Sequence, residues 1–472
     1  LLFVIVRRKH FSDVTERHDT RAYPENYWRV TMKSIALSIE ERSPQGIAGG
    51  IARLITTGDL APGDRLPTVR ALAADLGVSP ATVSHAWQRL AATGLITSRG
   101  RSGSFVRSVP REWMPRRYQG LDGTLEARLD LSRGTPDPAL LPALGPALSR
   151  ISTAAHTPSY MQKPDIPELH DLLRDTWPSP VESITVTNGA LDAIDRALAA
   201  LVRFGDRVIV ENPTFPPFLD LLEHHGLDPV PVELDREGML PSAFAAALRS
   251  APAVVLLQPR AHNPTGTSLS VERAKELAYL LYRSRIAAHA FVLEDDHSGA
   301  ISTSPDVTLA TWLPERVLHV RSFSKSHGPD LRIGALGGPR ELVDRVVARR
   351  LLGPGWTSRM TQRLLFELLT DPVSVQEVAT ARDTYRDRQV RLASALRANG
   401  VDAVPGDGIN IWLPVADERS AIVELTAAGI RVAPGGPFQV GDGEGGRVRV
   451  TVGVAGDDVD VVARALAQAA RA

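Results

Sequence analysis

Between Pro44 and Thr57 the apolar residues Ile47, Ile51, Leu54 and Ile55 recur at helical spacing, which predicts one amphipathic helix. A second helix is predicted after Thr68, a capping residue that stands ahead of an inner face of Val69, Leu72 and Ala73. Leu76-Gly77-Val78 turns the chain. Ser79 then caps a third pattern, PATVSHAWQRLAATG, with Pro80 at the first helical position, where a missing N–H costs nothing. Two short helices around a glycine-bearing turn are the signature of a helix-turn-helix. The following LITSRGRSGSFV reads as strand, glycine turn, strand, which makes a wing.

The pattern changes beyond residue 128. Short apolar runs (DRVIVENP, AVVLLQPR, AFVLEDD, RVLHVRSFSK) alternate with amphipathic stretches such as SAFAAALRSA and VERAKELAYLLYRS. This alternation predicts an α/β domain with a mostly parallel sheet over residues 129–472. Residues 108–128, with Pro110, Pro115 and several arginines, have the composition of a polar, semi-stiff linker. Residues 32–107 form the predicted DNA-binding domain. Leu1–Val30 lacks periodicity, and order begins just after Met32, so residues 1–31 are expected to be a disordered or spurious leader.

Length and charge narrow the picture. A chain of 472 residues exceeds one ordinary core, so at least two domains are expected. There is no cysteine, which excludes a disulfide framework, a zinc-thiolate site and a cysteine nucleophile. The initial apolar run LLFVIV is far shorter than the roughly 20 residues that span a bilayer. Its charges follow the run instead of preceding it, unlike a secretory signal. A cytoplasmic protein is expected.

Lys+Arg and Asp+Glu balance at 54 each, so any nucleic-acid contact must be local. The N-terminal domain is locally basic. There Lys33, Arg42, Arg53, Arg65, Arg70, Arg89, Arg99, Arg101 and Arg107 outnumber Glu40, Glu41, Asp59, Asp64 and Asp75. A recognition helix presents its first residues to base edges while arginines and backbone N–H groups hold phosphates. The candidate contacts with double-stranded DNA are Ser79, Ala81, Thr82 and His85, flanked by Arg65, Arg70, Arg99, Arg101 and Gly103 of the wing turn.

The second domain carries a candidate site for a phosphorylated carbonyl cofactor. Lys325 follows a buried strand in a serine-rich turn, at the end of the sheet where open α/β folds bind ligands. Burial there would lower the amine pKa and suit it to Schiff-base chemistry. Ser322, Ser324 and Arg332 suit a phosphate. The free N–H groups of Gly189 and Ala190, at a strand-to-helix turn, would face the same anion. Asp295 ends a strand and can pair with a protonated pyridine nitrogen. Asn263 can hydrogen-bond a phenolic oxygen, and Phe215 can stack on a ring.

Two resemblances follow. Residues 62–106 resemble the GntR-type winged helix through Pro62-Gly63, Leu66-Pro67, Arg70, Leu76-Gly77-Val78-Ser79, Thr82-Val83, Gly94-Leu95-Ile96, Gly103 and Phe105-Val106. The remainder resembles fold-type I aminotransferases through VTNGALDAID, VENPTFPPF, HNPTG, VLEDDHSG, SFSKSHGPDLRIG and RVRVTVG. Their fusion in this order resembles the MocR subfamily of transcription regulators. The resemblance implies pyridoxal 5'-phosphate bound covalently at Lys325 and paired with Asp295. It also implies Asn263 at the phenolic oxygen, Phe215 stacked, and Ser322, Arg332 and the Gly189-Ala190 turn at the phosphate. Tyr160 would reach the neighbouring subunit's cofactor phosphate, and Arg449 would clamp a substrate carboxylate. A head-to-tail homodimer is implied as well. The chain departs from its relatives at Pro80, where many carry arginine, and at His297, where the tyrosine that bonds the phenolic oxygen usually stands.

Three functions remain open on the sequence. One is a regulator that senses pyridoxal phosphate, or an amino compound reacting with it, through a Schiff base at Lys325. A second is an active aminotransferase that keeps a DNA-binding arm. The third is a regulator whose large domain senses something else.

Overall fold

The computed structural model describes residues 35–39, 41–92, 95–98, 103–107, 115–119, 127–151, 159–441, 445–454 and 459–472. The chain divides into two compact units, one ending at Ser108 and one running from Val109 to Ala472, with residues 92–94 assigned to the second.

In the first unit the helix Pro44–Thr57 is capped by Ser43, whose side chain accepts from the Gly46 N–H, and ends at Gly58 with φ 85°. It buries Ile47, Ile51 and Leu54. Ile35 and Ile39 of the preceding segment are buried as well. They come close because the helix carries Gly50 there; a Cβ at that position would lie 2.9 Å from Ile39 Cγ1. Thr68 caps Val69–Leu76, and Gly77 closes that helix in the left-handed region at φ 64°. The third helix is Pro80–Ala92. Strands β1 (Ile96–Ser98) and β2 (Ser104–Val106) pair antiparallel as the wing. A third strand-like segment was not foreseen. Val106 N–H donates to Asp64 O and Leu66 N–H to Ser104 O, both at 2.8 Å, with Arg65 opposite Phe105. Arg65 is thereby fixed against the wing turn.

In the second unit β3 (Leu129–Asp130) lies apart from the main sheet. That sheet uses β4 (Ser183–Thr187), β5 (Arg207–Asn212), β6 (Asp228–Asp235), β7 (Gly238–Met239), β8 (Val254–Leu257), β9 (Phe291–Asp296), β10 (Val317–Ser322) and β11 (Gly334–Gly338). Their order is β4-β11-β10-β9-β8-β5-β6-β7. The run from β10 to β6 is parallel, whereas β11 is antiparallel to both β10 and β4. Strand alternation sorts the core. Val208, Val210, Leu256 and Val320 pack with Ile194, Leu198 and Phe218 on one face. Ile209, Val255, Leu257 and Val292 pack with Phe244, Leu277 and Leu281 on the other. A smaller sheet of β12 (Asn410–Val415), β14 (Ala433–Pro434) and β15 (Gly446–Thr451) packs with the helices Pro372–Ala398 and Val459–Ala469. Between β12 and β14 in sequence, β13 (Ile430–Arg431) pairs in parallel with β3.

The reversed strand gathers the site. Gly334, the first residue of β11, pairs with both Ser322, the last of β10, and Thr187, the last of β4. Two strand exits and one strand entry therefore meet at one edge, and each brings polar residues there.

Within 108–128, the helix Arg116–Gln119 docks on the helix Pro216–His224. Arg117 donates to Asp220 at 2.8 Å and to Glu223 at 3.1 Å. Tyr118 is half-buried beside Asp220 and Arg332; desolvation raises its hydroxyl pKa, and the Arg332 charge opposes that shift. This part of the linker belongs to the large unit. Among the described residues, no helix is long and apolar enough to cross a membrane.

Candidate functional site

Lys325 sits half-buried in the turn after β10, and its ammonium donates to the Gly134 carbonyl. Burial lowers its pKa to about 8; the Arg449 charge adds to the shift and Asp295 opposes it. Asp295 is buried near the end of β9. Its Oδ2 accepts from Gln258 Nε2 at 2.8 Å, while Oδ1 is buried without a hydrogen-bond partner among the described residues. Burial raises its pKa to about 7, with the Gln258 hydrogen bond pulling the other way.

Gly189 caps the helix Ala190–Leu201 at φ 97°, a region open to glycine. A Cβ there would stand 3.1 Å from the Arg332 guanidinium. Arg332 is itself left-handed, at φ 47°. Thus Arg332 and the free N–H groups at this helix start share one edge of the site, beside the buried Ser322. Ser324 is half-buried next in the turn, and its N–H donates to Ser322 Oγ at 3.3 Å.

Asn263 Oδ1 accepts from Arg449 at 3.1 Å, which leaves its amide N–H groups as donors. Arg449 is buried, donates also to the Ser132 carbonyl, and lies 5.1 Å from the Phe438 ring centroid. Burial lowers its pKa to about 10. Each terminal nitrogen of Arg449 has one partner and its Nε is buried with none among the described residues, so donors remain for the ligand expected there. His297 Nε2 lies 2.9 Å from the Ala261 carbonyl, which fixes the N–H on that nitrogen and leaves Nδ1 an acceptor. Burial, then Lys325, lowers its pKa to about 4, so the ring is neutral at pH 7. Phe215 caps the helix Pro216–His224, half-buried and edge-on to Phe218 at 5.4 Å. Among the described residues, Tyr160 has no hydrogen bond or ring contact with these groups. It is 85% exposed and tilted on Trp356 at 6.0 Å between centroids.

Sequence reasoning missed the group that ties the site together. Gln258, at the exit of β8, donates to Asp295, accepts from the Asn263 N–H at 2.8 Å, and gives its own N–H to Glu211 at 2.8 Å. Glu211 is fully buried, and burial raises its pKa well above the usual carboxylate range. His262 lies 3.3 Å from it. The signal was available: QPR after VVLL puts a polar residue at a strand exit, the same argument that picked out Asp295.

On the DNA-binding unit, Ala81 and His85 are exposed on Pro80–Ala92, and Thr82 is half-exposed. Ser79 Oγ accepts from the Thr82 N–H at 3.1 Å. Arg70 is exposed on the preceding helix. Arg65 is exposed too, and a Cβ on Gly103 would lie 3.0 Å from its Nε. Arg99 and Arg101 lie outside the described residues.

The comparisons with known proteins agree with this division. Residues 45–106 match the family "Bacterial regulatory proteins, gntR family" and residues 127–466 match "Aminotransferase class I and II". The chain is 36% identical over 437 residues to the vitamin B6 salvage pathway transcriptional repressor PtsJ of Salmonella typhimurium, covering 91% of this chain and 99% of that protein. It is 29% identical to the HTH-type transcriptional regulator TauR of Rhodobacter capsulatus, over 85% of this chain and 90% of that one. Among solved structures, kynurenine aminotransferase of Pyrococcus horikoshii superposes with a TM-score of 0.66 at 22% identity, covering 73% of this chain and 91% of its own. That likeness shows the fold of the large unit. With both family regions in one chain and a regulator matched almost end to end, the protein belongs to the MocR-type transcription regulators, in which a GntR-family helix-turn-helix precedes an aminotransferase class I and II domain.

Proposed function

We propose that this DNA-binding transcription regulator changes its affinity for its operator when pyridoxal 5'-phosphate, or an amino compound that reacts with it, occupies the pocket at Lys325. The observation that carries the reading is the bare Oδ1 of buried Asp295 in a pocket shared with a lysine of lowered pKa. An unpaired buried carboxylate oxygen is costly, and a pyridinium N–H would satisfy it. The glycine-walled edge beside Arg332, where a Cβ would intrude, suits a phosphate. The residues present therefore fit the cofactor.

Lys325 would hold the cofactor covalently, and Asp295 would keep its ring nitrogen protonated. Gly189, Ala190, Ser322, Ser324 and Arg332 would hold the phosphate, Asn263 would donate to the phenolic oxygen, and Phe215 would flank the ring. When bound, the cofactor supplies an electrophilic carbon that exchanges one amine for another. His297, as an acceptor at Nδ1, would favour a protonated phenolic oxygen over the phenolate a tyrosine supports. That difference favours sensing over sustained transamination. The similarity to PtsJ, named for repression of a vitamin B6 salvage pathway, favours pyridoxal phosphate itself as the effector. A head-to-tail homodimer in the cytoplasm completes the reading. Exposed Tyr160, seated on Trp356, supports it as a group available to a second subunit.

Footprinting of the intergenic DNA flanking the gene, with and without pyridoxal phosphate, tests the proposal. Protection that shifts with the cofactor in the wild type and not in Lys325→Ala is expected. Identical protection in all four conditions would refute it.

A further inference from the structure

Few groups on the outward face of Pro80–Ala92 can tell one base pair from another. Val83, Ala86, Trp87 and Leu90 are buried and fix the inward face. Opposite them, at spacings of four and three residues, stand Ala81, His85 and Gln88, all exposed. Of the polar groups in the first turns, Ser84 is half-exposed, whereas Ser79 and Thr82 are engaged with each other. Ser79 Oγ lies 2.8 Å from Thr82 Oγ1 and also accepts the Thr82 N–H, so both hydroxyls serve the cap. Pro80 offers no donor. The side chains of His85 and Gln88, in contrast, have no hydrogen-bond partner among the described residues.

We infer that base reading by this helix is shifted from its first turn to the stripe Ala81–His85–Gln88, with the Gln88 amide selecting adenine. This rests on DNA binding by the winged helix and adds which residues choose the sequence. A glutamine amide matches adenine in the major groove, accepting from N6 and donating to N7. The Ala81 methyl suits the methyl group of thymine, and an imidazole N–H suits the acceptors of guanine. From residue 81 to residue 88 the helix rises about 10 Å at 1.5 Å per residue, and three base-pair steps span about the same distance. Arg70 and Arg65 are exposed on neighbouring elements and can take phosphates.

The test is selection of full-length protein on a pool of random duplex DNA, followed by sequencing, for the wild type, Gln88→Ala and Gln88→Glu. Gln88→Ala is expected to lose an adenine preference of about tenfold at one motif position and to leave the others intact. Gln88→Glu should move that position to cytosine, whose N4 amino group donates to a carboxylate. The gain of a new preference cannot come from misfolding. A motif unchanged in both variants overturns the inference. So does a uniform loss across all sequences in both, which marks a phosphate contact. A wild type that selects no motif sinks this inference and the DNA-binding reading together, whereas a wild-type motif indifferent to residue 88 sinks this inference alone.

Discussion

A lysine with an ordinary pKa near 10.4 is almost wholly protonated at pH 7 and reacts slowly with carbonyls. Burial beside Arg449 brings Lys325 to about 8, so about half of these amines are unprotonated at pH 8. The rate of pyridoxal phosphate uptake, followed by the growth of visible absorbance, should therefore rise through a midpoint near pH 8. A midpoint near 10 would place the amine in bulk water. Asp295 bears on the same profile. Its carboxyl, raised to about 7, binds a proton in the folded state that an unfolded aspartate releases near pH 4. Stability of the empty protein is thus lost as pH rises from about 4 through 7. Lys325, Asp295, Asn263 and Gly189 were legible in the sequence because each stands at a strand exit in a motif of fixed order. Gln258 stands at a strand exit too, but its role as the link between Asp295, Asn263 and Glu211 shows only once the strands are side by side.

At the scale of elements, the antiparallel insertion of β11 decides which residues share the phosphate edge. It brings Arg332 within a Cβ's reach of Gly189, more than 140 residues earlier. Gly189→Ala is expected to be penalised by φ 97°, and its Cβ would push the Arg332 guanidinium out of place. The cost should fall on the phosphate. Affinity for pyridoxal phosphate should drop at least tenfold, and affinity for pyridoxal, which lacks the phosphate, should change little. Fluorescence titration with both compounds checks this, and equal losses would mean the turn is merely structural. The helices of the first unit, Val271–Arg283 and the central strands of the main sheet were predictable from their apolar patterns, whereas the long helix Pro372–Ala398 has too weak an apolar stripe to announce itself. The reversal of β11 was not, because a short glycine-rich run such as GALGG carries no mark of direction. The Asp64–Leu66 segment of the wing escaped for a related reason: it pairs by backbone alone, with little apolar alternation to announce it.

For the whole molecule, signalling needs one element that both the pocket and the chain to the DNA-binding unit can bias. Under the proposed function the helix Arg116–Gln119 would meet that need. Arg117 grips the helix whose cap is Phe215, and Tyr118 lies beside Arg332. Arg117→Ala removes two partly exposed ion pairs, whose worth to stability is about 1 kcal/mol or less. The melting temperature should barely move, and pyridoxal phosphate uptake should persist. The change in operator affinity on adding the cofactor should shrink severalfold, as read by fluorescence anisotropy on labelled operator DNA. An unaltered response would show that the signal takes another route.

The bare oxygen of Asp295 has a reach beyond the pocket. A cofactor that satisfies it binds the native state and not the unfolded one, so it shifts the population toward native molecules. Empty chains would open more often and meet proteases more often. The cellular amount of this regulator would then follow vitamin supply through turnover, in addition to any change in its grip on DNA.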